Sequence, residues 1–238
     1  MLTLGIDTTA GTASVALLSG QTLLGEYTLN SGNTHSQTLL PMIEHMLARV
    51  GKTPRDIELY ACAAGPGSFT GVRIGAATVK GLAAPWNTPC VPVSALEALA
   101  QNLAIVDGRI CPVMNARRGQ VYTALFESSG GALHRTHPDA ALSLGELEAL
   151  LSGEDTPVYF VGDGYDLTEP FRKTQTPERL RYQSAASVAL LGQRIYLAAE
   201  DKTALTAAAL LPTYLRKPQA EREREERMKE QKEQEKNI

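Results

Sequence analysis

The sequence predicts an α/β protein built from two related units. Three observations carry this. Short apolar runs alternate with segments whose apolar residues recur at helical spacing. The first half reads β-β-β-α-β-α-β-α, with Gly and Pro punctuating the joints. A new series of strands followed by helices then starts at Asp107-Gly108, so the halves read as divergent copies of one α/β unit.

Taken in order, Leu2-Thr3-Leu4-Gly5-Ile6-Asp7 is a strand, Thr8-Thr9-Ala10-Gly11 a turn and Thr12–Leu18 a second strand. Ser19-Gly20 turns the chain into a third strand, Thr22–Leu29, which makes an antiparallel meander. Ser31-Gly32-Asn33-Thr34 is a loop before a helix over 36–50, whose Leu39, Leu40, Ile43, Met46, Leu47 and Val50 make one apolar face. Gly51 and Pro54 end it. Leu59–Ala64 is a buried strand, followed by the Gly65-Pro66-Gly67 turn and a helix through Ala83, capped by Ser68 or Thr70. Cys90–Val93 is a short strand, and Ser94 caps a helix over 95–103 with Glu97 at the capping-box position.

In the second half, Arg109–Asn115 and Gln120–Phe126 are strands joined at Ala116-Arg117-Arg118-Gly119. A polar, Pro-containing loop, which holds His134 and His137, leads to a helix at Leu144–Leu151. Pro157–Gly162 is a strand, Ser184–Glu200 a helix and Leu210–Arg216 a closing element. The expected division is 1–105, 106–216 and a solvated, charged run over 217–238; the last helix is free to pack back on the first unit.

Composition narrows the function. A chain of 238 residues with 43% apolar content has ample material for a core, and its formal charge of −3 argues against a broad, sequence-independent grip on nucleic acid. No apolar run is long enough to span a membrane, and the N-terminus enters a strand directly instead of a leader. Cys62, Cys90 and Cys111 are odd in number and sit in apolar runs, as expected of reduced thiols in a cytoplasmic protein.

Two stretches carry candidate chemistry. Asp7, at a strand end before Thr8-Thr9, has the place of a carboxylate that holds hydrated Mg²⁺ and nucleotide phosphates in actin-like ATPases. Taken alone, a strand-end Asp of this kind more often caps its turn through Asx hydrogen bonds. The Gly65–Gly75 motif lacks the Lys-Ser/Thr of a Walker loop, and Lys80 lies too far into its helix to reach a phosphate. Gly67 and Ser68 leave an anion site open at the helix start. The competing reading is close packing along Gly71, Gly75 and Thr78. No His pair has metal-ligand spacing, Arg117 and Arg118 read as surface charges, and no catalytic triad follows from residue order.

Gly5-Ile6-Asp7-Thr8-Thr9, His35-Ser36-Gln37 with Leu39-Leu40-Pro41, Gly65–Gly75, Lys80-Gly81-Leu82-Ala83, Val93–Ala100 and Pro212–Arg216 together closely resemble the bacterial TsaB (YeaZ) family. The resemblance runs from Met1 to Arg216. It implies an actin-like ATPase (ASKHA) fold, two related α/β domains with mixed sheets. It further implies a part in making N6-threonylcarbamoyladenosine (t6A) at position 37 of tRNAs that read codons starting with A. Family members act beside a catalytic paralogue, TsaD, and an ATPase, TsaE, while a separate enzyme makes threonylcarbamoyl-adenylate. They pair with themselves when the partner is absent.

The catalytic paralogue carries His-Met-Glu-Gly-His where this chain reads Ala95-Leu96-Glu97-Ala98-Leu99, which cannot ligate a metal. The expectation is therefore a non-catalytic subunit with no metal site and no activity alone. tRNA is reached only through the complex. ATP or ADP with Mg²⁺ is what the resemblance admits there as cofactor. Asp7, Thr8, Thr9, Gly67 and Ser68 are the nucleotide or anion candidates. The partner surface is expected to combine an apolar helix face (Leu39, Ile43, Met46), left exposed in the monomer, with His35, Phe69, Gly71, Arg73, Gly75 and Thr78. A bulky residue at Gly75 should then abolish pairing and leave the fold intact. An autonomous actin-like ATPase or kinase, with Asp163-Gly164 as its second acidic motif, is the alternative; a metalloprotease is a weaker one.

Overall fold

The structure, a computed structural model, describes residues 1–32, 34–153 and 156–216; the charged run over 217–238 lies outside the described residues. β1 (Leu2–Asp7), β2 (Ala13–Ser19) and β3 (Thr22–Leu29) form the antiparallel meander. β4 (Leu59–Gly65) then adds parallel to β1, and β5 (Cys90–Ser94) parallel to β4, giving the order β3-β2-β1-β4-β5. β1 and β4 are buried along their whole length, which is why they read as continuous apolar runs and not as alternating ones.

α1 (His35–Arg49) and α2 (Phe69–Ala83) cover one face of this sheet. Leu4, Ile6, Tyr60 and Cys62 point to that side. α5 (Ala185–Ala198) covers the other side, so the chain returns to the first sheet after building the second. Glycines make this return close. A Cβ on Gly5 would run into the Ala185 carbonyl, and one on Gly192 into the Ala61 side chain. Gly192→Ala should therefore lower the melting temperature, at about 1–2 kcal/mol of lost stability, unlike an alanine at an exposed helical glycine. Gln193, also on α5, satisfies its buried amide by donating to Thr3 Oγ1 and to the Gly20 carbonyl, both at 2.9 Å.

The second sheet has the order β8-β7-β6-β9, from β6 (Gly108–Arg117), β7 (Gln120–Ser129), β8 (Ala132–Ser143) and β9 (Val158–Val161). β9 runs parallel to β6 and the other pairs are antiparallel. Here the structure corrects the sequence reading, because the expected polar loop over 132–143 is a strand and carries His134 and His137. Its pairing with β7 slips around Leu125, with Pro138 between the paired residues His137 and Ala140. An edge strand tolerates such a bulge and a proline, and both erase the alternation that would have marked it.

α4 (Leu144–Leu151) follows with a reciprocal cap: Ser143 Oγ accepts from Glu146 N at 3.2 Å, and Glu146 Oε2 accepts from Ser143 N at 2.7 Å. α3 (Ala95–Gln101) lies between the two sheets, its Ala95, Leu96, Ala98 and Leu99 all buried. Ser94 Oγ caps it by accepting from Glu97 N, but the Glu97 carboxylate does not close a capping box. It instead accepts from Arg135 Nη2 at 2.7 Å, while Ser94 Oγ donates to Asp139 Oδ2 at 2.7 Å; both pairs join the first unit to β8. The three cysteines are buried free thiols whose pKa values burial raises, so their thiolates are not formed at neutral pH.

Candidate functional site

The ends of β1, β4, β6 and β9 meet at a cleft of about 670 Å³ between the two units. Thr9, Gly67, Ser68, Asn115, Arg117, Asp163, Tyr214 and Arg216 are among its lining residues. Asp7 lies beneath it and is fully buried. Asp7 Oδ1 accepts from Thr9 N at 2.8 Å and from Thr9 Oγ1 at 2.7 Å, which is the Asx-type cap weighed above. Its Oδ2 has no partner. Burial pushes the Asp7 carboxyl from 3.8 up to about 6, with the Asp163 charge adding a smaller push. Asp163, whose Oδ1 accepts from Asn115 N at 3.1 Å, is raised too, again by desolvation first.

The two loops at this end are zipped together. Ser68 N donates to the Thr9 carbonyl at 2.7 Å, Gly71 N donates to Ser68 Oγ at 3.3 Å, and Thr8 Oγ1 donates to the Gly71 carbonyl at 2.8 Å. Gly67 has no room for a Cβ beside the Thr9 carbonyl, nor Gly71 beside that of Thr8. The structure thus brings Asp7, Thr8, Thr9, Gly67 and Ser68 together. The backbone donors of Thr9, Ser68 and Gly71 are already taken, however, and Thr8 is turned into the core. The acidic floor suits a hydrated cation, and Ala10, Gly11, Gly67 and Thr70 of the same loops also line the cleft. Among the described residues no cluster of three or more His, Cys, Asp or Glu side chains could hold a metal ion.

The expected partner residues fall into three groups. Leu39, Ile43 and Met46 are each only 1% exposed and belong to the core under the first sheet, so they do not form an exposed apolar face; that expectation is corrected. Amphipathic spacing marks a face that must be covered, and here the chain's own sheet covers it. Gly71 and Gly75 also face inward. A Cβ on Gly75 would sit 2.6 Å from Thr8 Oγ1, so a bulky residue there would disturb the fold itself, contrary to the sequence reading. His35 sits half-buried at the helix start, its Nε2 2.7 Å from the Ala10 carbonyl, tying α1 to the β1–β2 turn.

Phe69 and Arg73 do reach the surface side of α2, where they hold Tyr214. The two rings stack at 5.0 Å, the Arg73 guanidinium lies 3.7 Å from the Phe69 centroid, and Arg73 Nε donates to Tyr214 OH at 2.8 Å. Thr78 is half-buried on the same helix. The solvent-facing side of α1 presents Leu40, which is 45% exposed, with Pro41 and His45. Sequence reasoning missed the lining roles of Asn115, Arg117, Tyr214 and Arg216. The closing Pro212–Arg216 element was one signal, and the turn at Arg117-Arg118-Gly119, where all three residues are left-handed at φ 61°, 55° and 72°, was another that spacing did not place beside the cleft.

The chain is 34% identical to the tRNA threonylcarbamoyladenosine biosynthesis protein TsaB of Bacillus subtilis, covering 93% of this chain and 96% of that one. It belongs to the TsaB family. The Escherichia coli TsaB is 36% identical over 65% of this chain and 69% of its own length. The family model described as TsaD, tRNA N6-adenosine threonylcarbamoyltransferase, matches residues 23–224. Among solved structures, YeaZ from Pseudomonas aeruginosa superposes with a TM-score of 0.76 at 27% identity, over 90% of this chain and 99% of that one. The two α/β units with mixed sheets are those the resemblance implied, and the fold is that of YeaZ. The positions where that resemblance sets metal ligands in the catalytic paralogue fall on α3, and here they are core packing. No helix among the described residues is long and apolar enough to cross a membrane.

Proposed function

We propose that this chain is a non-catalytic subunit required for threonylcarbamoyl transfer to N6 of adenosine 37 in tRNAs reading codons that start with A. It acts in the cytoplasm beside a catalytic paralogue, TsaD, and an ATPase, TsaE, and reaches tRNA through that complex. The observation that carries the reading is the match to a TsaB along nearly the whole of both chains. The apolar, buried α3 supports a supporting rather than a catalytic role, since its Ala95 and Leu99 offer no metal-ligating atom where the resemblance puts the paralogue's histidines.

The partner surface is assigned to the solvent-facing sides of α1 and α2, centred on Leu40 and Ala77, and the same surface serves self-association when the paralogue is absent. Co-purification with the catalytic paralogue should succeed for the natural chain and fall at least about tenfold for Leu40→Asp, with the melting temperature unchanged. A modification assay with TsaD, TsaE and threonylcarbamoyl-adenylate should yield t6A only when this chain is added. Robust ATP hydrolysis by the isolated chain, or full t6A formation without it, would overturn the reading and favour the autonomous ATPase.

A further inference from the structure

The residues after α5 run from the first unit to the second. Leu210 is fully buried in the first core. From there Thr213 N donates to the Ala64 carbonyl at 2.6 Å, extending the end of β4. The Thr213 carbonyl packs onto Gly65, which lies at φ 117° and has no side chain to block it. Tyr214 is held by the Phe69 ring and the Arg73 side chain. Two residues on, Arg216 Nη1 donates to the Ala116 carbonyl at 2.9 Å, and Ala116 belongs to β6 of the second unit. The chain therefore leaves the first unit, crosses the mouth of the cleft and fastens to the second, and Thr213 through Arg216 form part of the cleft wall.

We propose that Thr213–Arg216 is a strap that fixes the angle between the two units, and that its release is the step that opens the cleft. The units are also joined at α3, whose Leu96 and Leu99 share one core with Ile110, Phe126 and Val161 of the second unit, and where Glu97 meets Arg135 and Ser94 meets Asp139. None of those residues lines the cleft, so α3 acts as the hinge and the strap closes the side away from it. The two fastenings differ in strength. Leu210 and the Thr213 amide are embedded in the first unit, whereas among the described residues the strap's hold on the second unit is the hydrogen bond from Arg216 to the Ala116 carbonyl. Opening should thus begin at Arg216, with the strap staying on the first unit. This device stands independently of any role in tRNA modification.

The test uses the intact chain with spin labels on Gln21→Cys in the β2–β3 turn and Glu127→Cys in β7, both exposed and away from the proposed partner surface, while the three natural cysteines are buried. Arg216→Ala removes the fastening on the second unit. Arg73→Ala weakens the grip on Tyr214 without altering the strap. Far-UV circular dichroism confirms folding for both. The expected result is a single narrow distance in the natural chain and a broader, longer distribution in Arg216→Ala. In Arg73→Ala, amide exchange at Thr213 should be at least about tenfold faster. An unchanged, narrow distance distribution in Arg216→Ala would overturn the proposal, whatever the exchange at Thr213 does. Unaltered exchange in Arg73→Ala would overturn the anchoring of the strap at Tyr214.

Discussion

Replacing Gly71 with alanine should destabilise the fold by about 2–4 kcal/mol, while the same change at Gly81, in the same helix, should stabilise it by about 0.5–1 kcal/mol. The two glycines have identical chemistry and opposite surroundings. At Gly71 a methyl would press into the Thr8 carbonyl, with His35 Cδ2 at 3.3 Å on its other side, and Thr8 also donates to the Gly71 carbonyl. Nothing there is the far end of a flexible side chain, so backbone must move and a buried hydrogen bond must stretch. At Gly81 nothing lies within 4 Å, and alanine simply removes conformational freedom from the unfolded chain. Urea midpoints of the two variants decide the matter. Equal, mild effects would mean that the glycine-rich helix start is not packed internally.

Asp7→Asn should raise stability at pH 7.5 by about 1–3 kcal/mol, and the gain should vanish below about pH 4. In the native state burial raises the carboxyl to about 6, against 3.8 when exposed. Between those values the native state holds a proton that the unfolded chain has released. Stability therefore falls as pH rises through that window, and above it the full cost of a buried, half-partnered carboxylate is in force. Asparagine keeps an oxygen for the two Thr9 donors and carries no charge to desolvate. The amide it places at the position of Oδ2 gains no acceptor there, which trims the benefit. Denaturant titrations of both proteins between pH 3.5 and 8 give the difference directly. A constant difference across that range would show that Asp7 does not titrate in the folded chain.

The fold was largely legible in the sequence because its signals are local. β1, β4 and α1 announce themselves by apolar runs or helical spacing, and Ser68, Ser94 and Ser143 each stand at a helix start. β8 was not legible, since an edge strand bent around Pro138 follows its neighbour and not its own pattern. The site was legible as a list and illegible as an arrangement. Asp7, Thr8, Thr9, Gly67 and Ser68 do converge, but whether an N–H is free or already bonded to another loop is a property of tertiary contact. The small residues at Gly71 and Gly75 correctly signalled a close approach. Spacing alone does not say what approaches, and it is the turn after β1, not another subunit. Glu97 teaches the same lesson: a capping-box position loses to an arginine that only the second sheet can supply.

The return of α5 to the first sheet has a consequence for synthesis. As the chain emerges from the ribosome, β1 to β5 and α1 to α3 are all available by residue 101, yet one face of their sheet remains bare. Gly5, Ala61 and Ala63 stay uncovered until residues 185–198 arrive, and the first core lacks Leu210 until later still. Vectorial, unit-by-unit folding is thus denied to this topology, because the first half can collapse early but cannot finish before the second is made. Nascent chains stalled shortly after residue 105 should remain protease-sensitive and prone to chaperone capture, and resistance should appear only once residues up to 216 have cleared the exit tunnel.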